Sequence, residues 1–247
     1  MKIKSILFLV ITLTLSSCAE LSQIVDAYQP KALTESEVIA GLRQALEVGT
    51  DTAVKNLSKT NGYFGNQLVK IMLPPEADII VNNLNKLPGG SKLVDDVTLR
   101  INRAAEDAAR EATPIFVNAI RKITIQDAFS ILRGDKDAAT QYLKRTTQAQ
   151  LYELFNPKIQ SSLNKPLVAG ISTNQSWHQL TSGWNQVANN PIGKLSGLTP
   201  VNTSLDNYLT NKALDGLFTM ISQQEASIRE DPLARVSDLL KRVFGSK

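Results

Sequence analysis

An apolar stripe runs through Val94, Val97, Ile101, Ala104, Ala105, Ala108 and Ala112. This is the spacing of one buried α-helix face. The alanines in its second half predict a neighbouring helix lying close against it. The opposite face carries Arg103, Glu106, Asp107 and Arg110. There Arg103 can reach Glu106 and Asp107, and Glu106 can reach Arg110, at three or four residues. Ser91 is the expected N-cap, with Asp95 and Asp96 favouring the positive end of the helix dipole. Pro114 kinks or restarts the helix. Thr113 is expected to cap the restart, which buries Phe116 and Ile120.

The same period recurs along the chain. Thr34-Glu35-Ser36-Glu37 reads as a capping box. The helix it opens buries Val38, Leu42, Ala45, Leu46, Gly49, Ala53 and Leu57, and stops at Asn61-Gly62. Residues 63–73 are ambiguous between a short strand and a buried helical turn. Pro74-Pro75 opens a helix carrying Ile80, Leu84 and Leu87, closed by Pro88-Gly89-Gly90. Thr124 and Asp127 form a second capping box, for a helix ending at Gly134. Asp135 is expected to cap the next helix, which buries Ala139, Tyr142, Leu143, Leu151 and Leu154 until Asn156-Pro157 stops it. A short helix with Ile159 and Leu163 follows, then a polar connection over 166–175.

Trp177, Leu180, Trp184 and Val187 make a further stripe, ended by a turn-rich loop at 189–200. Thr203 or Ser204 caps a long helix through Leu205, Leu209, Ala213, Leu217, Met220 and Ile228. The last helix follows Asp231-Pro232 and buries Val236, Leu239, Leu240 and Val243. No repeat, heptad run or low-complexity block interrupts this. The expected fold is all-α, one compact, non-repeat multi-helix domain over 34–247, with room for one short strand or hairpin near 63–73.

The first residues read differently. Lys2 and Lys4 form a basic region, Ile6 to Leu15 a short apolar one, and Leu15-Ser16-Ser17-Cys18 resembles a bacterial lipobox. The apolar run is about half of what a membrane-spanning helix needs. Residues 1–17 are therefore expected to be a signal peptide, and 18–33 a tether bearing the lipid on Cys18. Several acyl chains anchor stably where one is marginal. Ala19, and not Asp, follows Cys18; by Gram-negative sorting rules that implies the outer membrane, on its periplasmic side. Loss of Lys2 and Lys4 lowers the formal charge from +4 by two, so the case for a nucleic-acid partner falls away. Cys18 is the single cysteine, which leaves no thiol for disulfides, nucleophilic catalysis or metal thiolates.

Several motifs carry a resemblance. They are Asn102-Arg103-Ala104-Ala105-Glu106, the run from Ala119-Ile120 through Thr124 to Asp127-Ala128, Gly134-Asp135-Lys136-Asp137-Ala138-Ala139-Thr140, and Leu214-Asp215-Gly216-Leu217-Phe218. Together they resemble a family of Gram-negative lipoproteins catalogued as domain of unknown function 4197, over Leu42 to Gly245. Ile123 departs from the Met that the family more often has before the Thr. The resemblance implies a helical envelope protein and brings no activity, cofactor or catalytic residue.

No catalytic signature is legible. His178 is the only histidine, short of a zinc or di-iron ligand set, and no Gly-x-Ser-x-Gly elbow exists. Asp135-Lys136-Asp137 lacks the later ligands of a calcium loop. No metal or cofactor is expected. Glu225, Arg229, Glu230 and Asp231 read as a solvated charged face. Trp177, Trp184, Tyr208 and Phe218 read as core, with an apolar pocket as the alternative. The best polar cluster is Asn102, Arg103, Glu106 and Asp127, read first as a structural network between packed helices. The chain is expected to be a lipid-anchored module that binds an envelope protein or a small apolar ligand. The alternatives are a hydrolase-like enzyme using the Glu106 and Asp127 carboxylates, and a structural envelope protein.

Overall fold

The computed structural model describes residues 33–78, 81–82, 90–168 and 170–245, apart from the side chains at 90, 167, 168 and 180. The described residues form α1 (Glu35–Leu57), α2 (Gly90–Arg110), α3 (Thr113–Arg121), α4 (Ile125–Arg133) and α5 (Ala138–Asn164). After these come the strands β1 (Pro166–Val168) and β2 (Ile171–Ser172), then α6 (Thr173–Asn189), α7 (Pro191–Leu195), α8 (Leu205–Glu230) and α9 (Asp238–Gly245). Two 3₁₀ turns, Pro75–Ala77 and Pro232–Ala234, are also present, and Asp78, Val81 and Asn82 are helical. The signal peptide, Cys18, Ile80, Leu84 and Leu87 lie outside the described residues. Among the described residues no helix is long and apolar enough to cross a membrane.

The all-α domain is built around three helices. α8 packs on both α5 and α1, while α2 lies on α5, and α3, α4 and α9 pack on α1. α1 buries every position of its expected stripe, from Val38 to Leu57. α5 buries Leu143, Leu151, Phe155, Ile159 and Leu163, and α8 buries Leu209, Ala213, Leu217 and Ile221. Each buried valine, leucine, isoleucine or phenylalanine among these contributes about 1.5–3 kcal/mol on leaving water. On α2 the buried face is Val97, Ile101, Ala105, Ala108 and Ala109, continued by Ala112 just past its end; the small alanine side chains allow close approach, while Val94 and Ala104 of the expected stripe are only half-buried. Phe116 of α3 meets Phe218 of α8 edge to face, with centroids 6.3 Å apart. Gly216 lets residues 63–69 lie directly on α8: a Cβ there would stand 3.0 Å from the Tyr63 ring and 3.1 Å from Val69.

Several local expectations fail. Residues 63–73 form successive turns and an extended run, with no strand; the paired strands are instead β1 and β2, at 166–172. Asn61 takes a left-handed φ of 66°, and turns at 62–70 carry Tyr63, Val69 and Ile71 inward. α2 starts at Gly90, so Ser91 lies inside the helix and not at its cap. α3 is preceded by Ala112, and Thr113 makes no capping bond. Pro157 does not end α5, which runs on to Asn164. A proline inside a helix costs about 3 kcal/mol. Burial of Phe155, Ile159 and Leu163 on either side of it offsets that cost. Val236 is 68% exposed because α9 begins only at Asp238 and docks through Leu240, Val243 and Phe244.

Candidate functional site

Asn102, Arg103 and Glu106 sit on one side of α2 and meet the turns that follow α1. Asn102 is fully buried. Its Oδ1 accepts from the Ile71 N–H at 2.9 Å, and its Nδ2 donates to the Ile71 carbonyl at 2.8 Å and to the Thr98 carbonyl. The side-chain amide thus does for Ile71 what a strand partner would do, and the extended run needs no sheet. Glu106 is buried as well. Its Oε1 accepts from the Tyr63 and Phe64 N–H groups, each at 3.2 Å, and its Oε2 accepts from the Arg103 guanidinium. Arg103 also donates to Asn61 Oδ1 at 2.8 Å. Burial pushes the Tyr63 hydroxyl well above its ordinary pKa, and the nearby Glu106 charge adds to this; the hydroxyl donates to the Ala213 carbonyl.

Asp127 belongs to a different arrangement. Among the described residues it shares no hydrogen bond or ion pair with the other three. It closes the expected capping box, accepting from the Thr124 N–H and hydroxyl, while the Thr124 hydroxyl accepts from the Asp127 N–H. The Thr124 side-chain bond, then its backbone bond, hold the Asp127 carboxyl below the usual carboxylate range. A depressed carboxyl stabilises the fold above its unfolded pKa, and this stabilisation is lost as pH falls through the folded value. Thr124→Ala is expected to cost about 1 kcal/mol at neutral pH. It should also return Asp127 toward the ordinary range, which a proton-detected carboxyl titration checks. An unchanged titration would mean that the cap does not set this pKa.

The second charged group departs from its expected solvated face. Glu225 on α8 is 8% exposed, and Arg229 pairs with it at 2.8 Å. Glu225 Oε1 accepts from the Ala139 N–H, and its Oε2 from the Thr140 N–H and hydroxyl, at 2.8–3.0 Å. These are first-turn donors of α5, which has no capping bond from its own N-cap, Asp137. Asp135 is therefore not the cap; a carboxylate from α8 is. Arg229 donates to the Ile131 carbonyl near the end of α4. Arg43 of α1 does likewise for the Arg121 and Ile123 carbonyls at the end of α3.

These carboxylates hold their donors before any substrate arrives. An open groove of about 540 Å³ between α2 and α5 reaches Arg103, Arg100, Lys158 and Lys165, but Glu106 does not line it. Asp107 and then Glu111 hold Lys158 above the ordinary lysine range by hydrogen bonding to its ammonium. His178 is exposed, and among the described residues no group of His, Cys, Asp and Glu side chains could hold a metal ion.

The apolar candidate fares differently. Trp177, Trp184, Tyr208 and Phe218 do not share one pocket, since Phe218 packs on Phe116 and Tyr208 borders a groove beside Lys212. Trp177 does line a cavity of about 100 Å³ with Leu73, Ala77, Val94, Val97 and Leu205. It is walled by α2, α6 and the start of α8, and its lining is almost wholly apolar. α6 is opened by a capping box, Ser172 with Gln175, that the Ser-x-x-Gln spacing signals and that the polar connection over 166–175 concealed.

No curated protein and no solved structure matches the chain. The family described as Protein of unknown function (DUF4197) matches residues 32–245, which takes in every helix of the domain. The motif around Asn102 and Glu106, the Thr124 capping box and the Gly216 contact all fall within that span, and the chain belongs to this family.

Proposed function

We propose that this protein is a lipid-anchored component of the bacterial envelope, held on the periplasmic side of the outer membrane through Cys18. In this reading the helical domain works by binding a small apolar ligand. The lipobox-like Leu15-Ser16-Ser17-Cys18 supports the anchor. The observation that carries the binding function is the apolar cavity at Trp177. Aliphatic and aromatic side chains dominate its lining, which favours an apolar group over water there. At about 100 Å³ it admits one small group, such as the end of an alkyl chain or an aromatic ring.

Benzene and xenon are suitable probes. Each is expected to change Trp177 emission and to raise the melting temperature. At a hundredfold excess over Kd the gain is about 2.7 kcal/mol. Val97→Phe, which fills the cavity, should abolish both effects while the far-ultraviolet circular dichroism stays helical. Probe binding that survives Val97→Phe would place the ligand elsewhere. Mass spectrometry of the mature N-terminus tests the anchor, and an unmodified Cys18 would remove it.

A further inference from the structure

Between Glu153 and Asp206 the chain carries no carboxylate, and its charged residues there are Lys158, Lys165 and Lys194. The far end of this stretch is the α6–α7 corner. Three large apolar side chains stand in water there: Val187 at 51% exposure, Ile192 at 75% and Leu195 at 89%. Ile192 and Leu195 are three residues apart on α7, so they share a face.

The corner is held firmly in this shape. Pro191 starts α7, and the Asn190 side chain accepts from the Gly193 N–H at 2.8 Å. A Cβ at Gly193 would lie 2.1 Å from the Val187 carbonyl, so the chain turns there only because the residue is glycine. The returning loop is fixed to α6 through Trp177, whose Nε1 donates to the Asn202 carbonyl at 3.3 Å, and at two points nearer the corner. Trp184 Nε1 donates to the Thr199 carbonyl at 2.9 Å, and the Asn185 amide bonds both the N–H and the carbonyl of Val201. The corner is thus braced by side-chain and backbone hydrogen bonds while Ile192 and Leu195 stand side by side in water.

We propose that the α6–α7 corner docks on an anionic lipid bilayer, with Ile192 and Leu195 entering the headgroup boundary and Lys194 meeting lipid phosphates. α6, α7 and the loop that follows them carry no carboxylate of their own, and Lys194 is their one charged side chain, so these elements do not themselves repel an anionic surface. Aliphatic tips flanked by a lysine and a half-exposed tryptophan are the chemistry of interfacial insertion. A second copy or another protein fits less well. Three side chains fall far short of the roughly 800 Å² per partner that a stable protein interface covers.

The inference rests on the membrane anchoring proposed above, and the experiment separates the two. The full chain carrying Leu195→Cys or Leu233→Cys is processed to its mature form and reconstituted into vesicles of phosphatidylethanolamine and phosphatidylglycerol. The introduced thiol is labelled with a nitroxide. Leu233 is 90% exposed in the Pro232–Ala234 turn and serves as the aqueous reference. The expected result is co-flotation, with the label at 195 shielded several-fold more than that at 233 from an aqueous nickel chelate. Co-flotation with equal accessibility at both positions overturns the docking and leaves the anchor standing. Failure to float overturns the anchor, and the docking falls with it. Shielding at 195 that appears only in native membranes, and not in protein-free vesicles, means that a protein covers the corner and overturns the bilayer assignment.

Discussion

Glu225→Ala is expected to lower the unfolding free energy by about 3–5 kcal/mol. The carboxylate holds two α5 N–H groups and the Thr140 hydroxyl, and it faces Arg229, whose side chain is 11% exposed. Truncation leaves those donors and a guanidinium buried without their acceptor. Desolvation then dominates, because none of these groups regains water when the partner is removed. For a domain of this size the melting temperature should fall by about 10 °C. Arg229→Ala should cost less, about 1–3 kcal/mol, since Glu225 keeps its three α5 donors. Thermal and urea unfolding followed by circular dichroism measure both. A loss below that of Arg229→Ala would show that Glu225 is not the cap of α5.

Glu106→Ala is expected to cost about 3 kcal/mol, most of it from the backbone. The mutation strands the Tyr63 and Phe64 N–H groups beneath α2. The ion pair is the smaller part, because the Arg103 side chain is 37% exposed and solvent screens it. A double-mutant cycle between Arg103→Ala and Glu106→Ala should therefore give a coupling of about 1 kcal/mol or less. Glu106→Gln retains an acceptor for the two N–H groups and should recover most of the loss. If instead Glu106→Gln kept full stability and reproduced the phenotype of a gene deletion, Glu106 would be acting on a ligand or substrate.

Much of the fold is legible in the sequence because it depends on neighbours within one or two helical turns. The α1 stripe, the alanine face of α2, the Thr124–Asp127 box and the stop at Gly134 are all local. Burial follows from a 3.6-residue period, and a cap from a spacing of three, whatever the rest of the chain does. The Ser172–Gln175 box was equally readable and was obscured by the glycine- and serine-containing connection around it. A trace of the polar junction was present too. Glu225 falls four residues after Ile221 and three before Ile228, on the buried face of α8, where a solvated carboxylate has no place.

What that carboxylate does was decided only in three dimensions. Glu225 caps a helix that begins more than eighty residues earlier, and Asn102 supplies Ile71 with a partner across 31 residues. Glu106 folds inward because the 63–64 backbone offers donors that no helical periodicity predicts. Pro157 stays inside α5 because Phe155 before it and Ile159 and Leu163 after it are buried in the core. Local sequence sets which face of a helix avoids water. Which buried polar group finds which orphaned N–H depends on how distant segments come to lie together. The free-energy cost of leaving those groups unpaired is what fixes that arrangement.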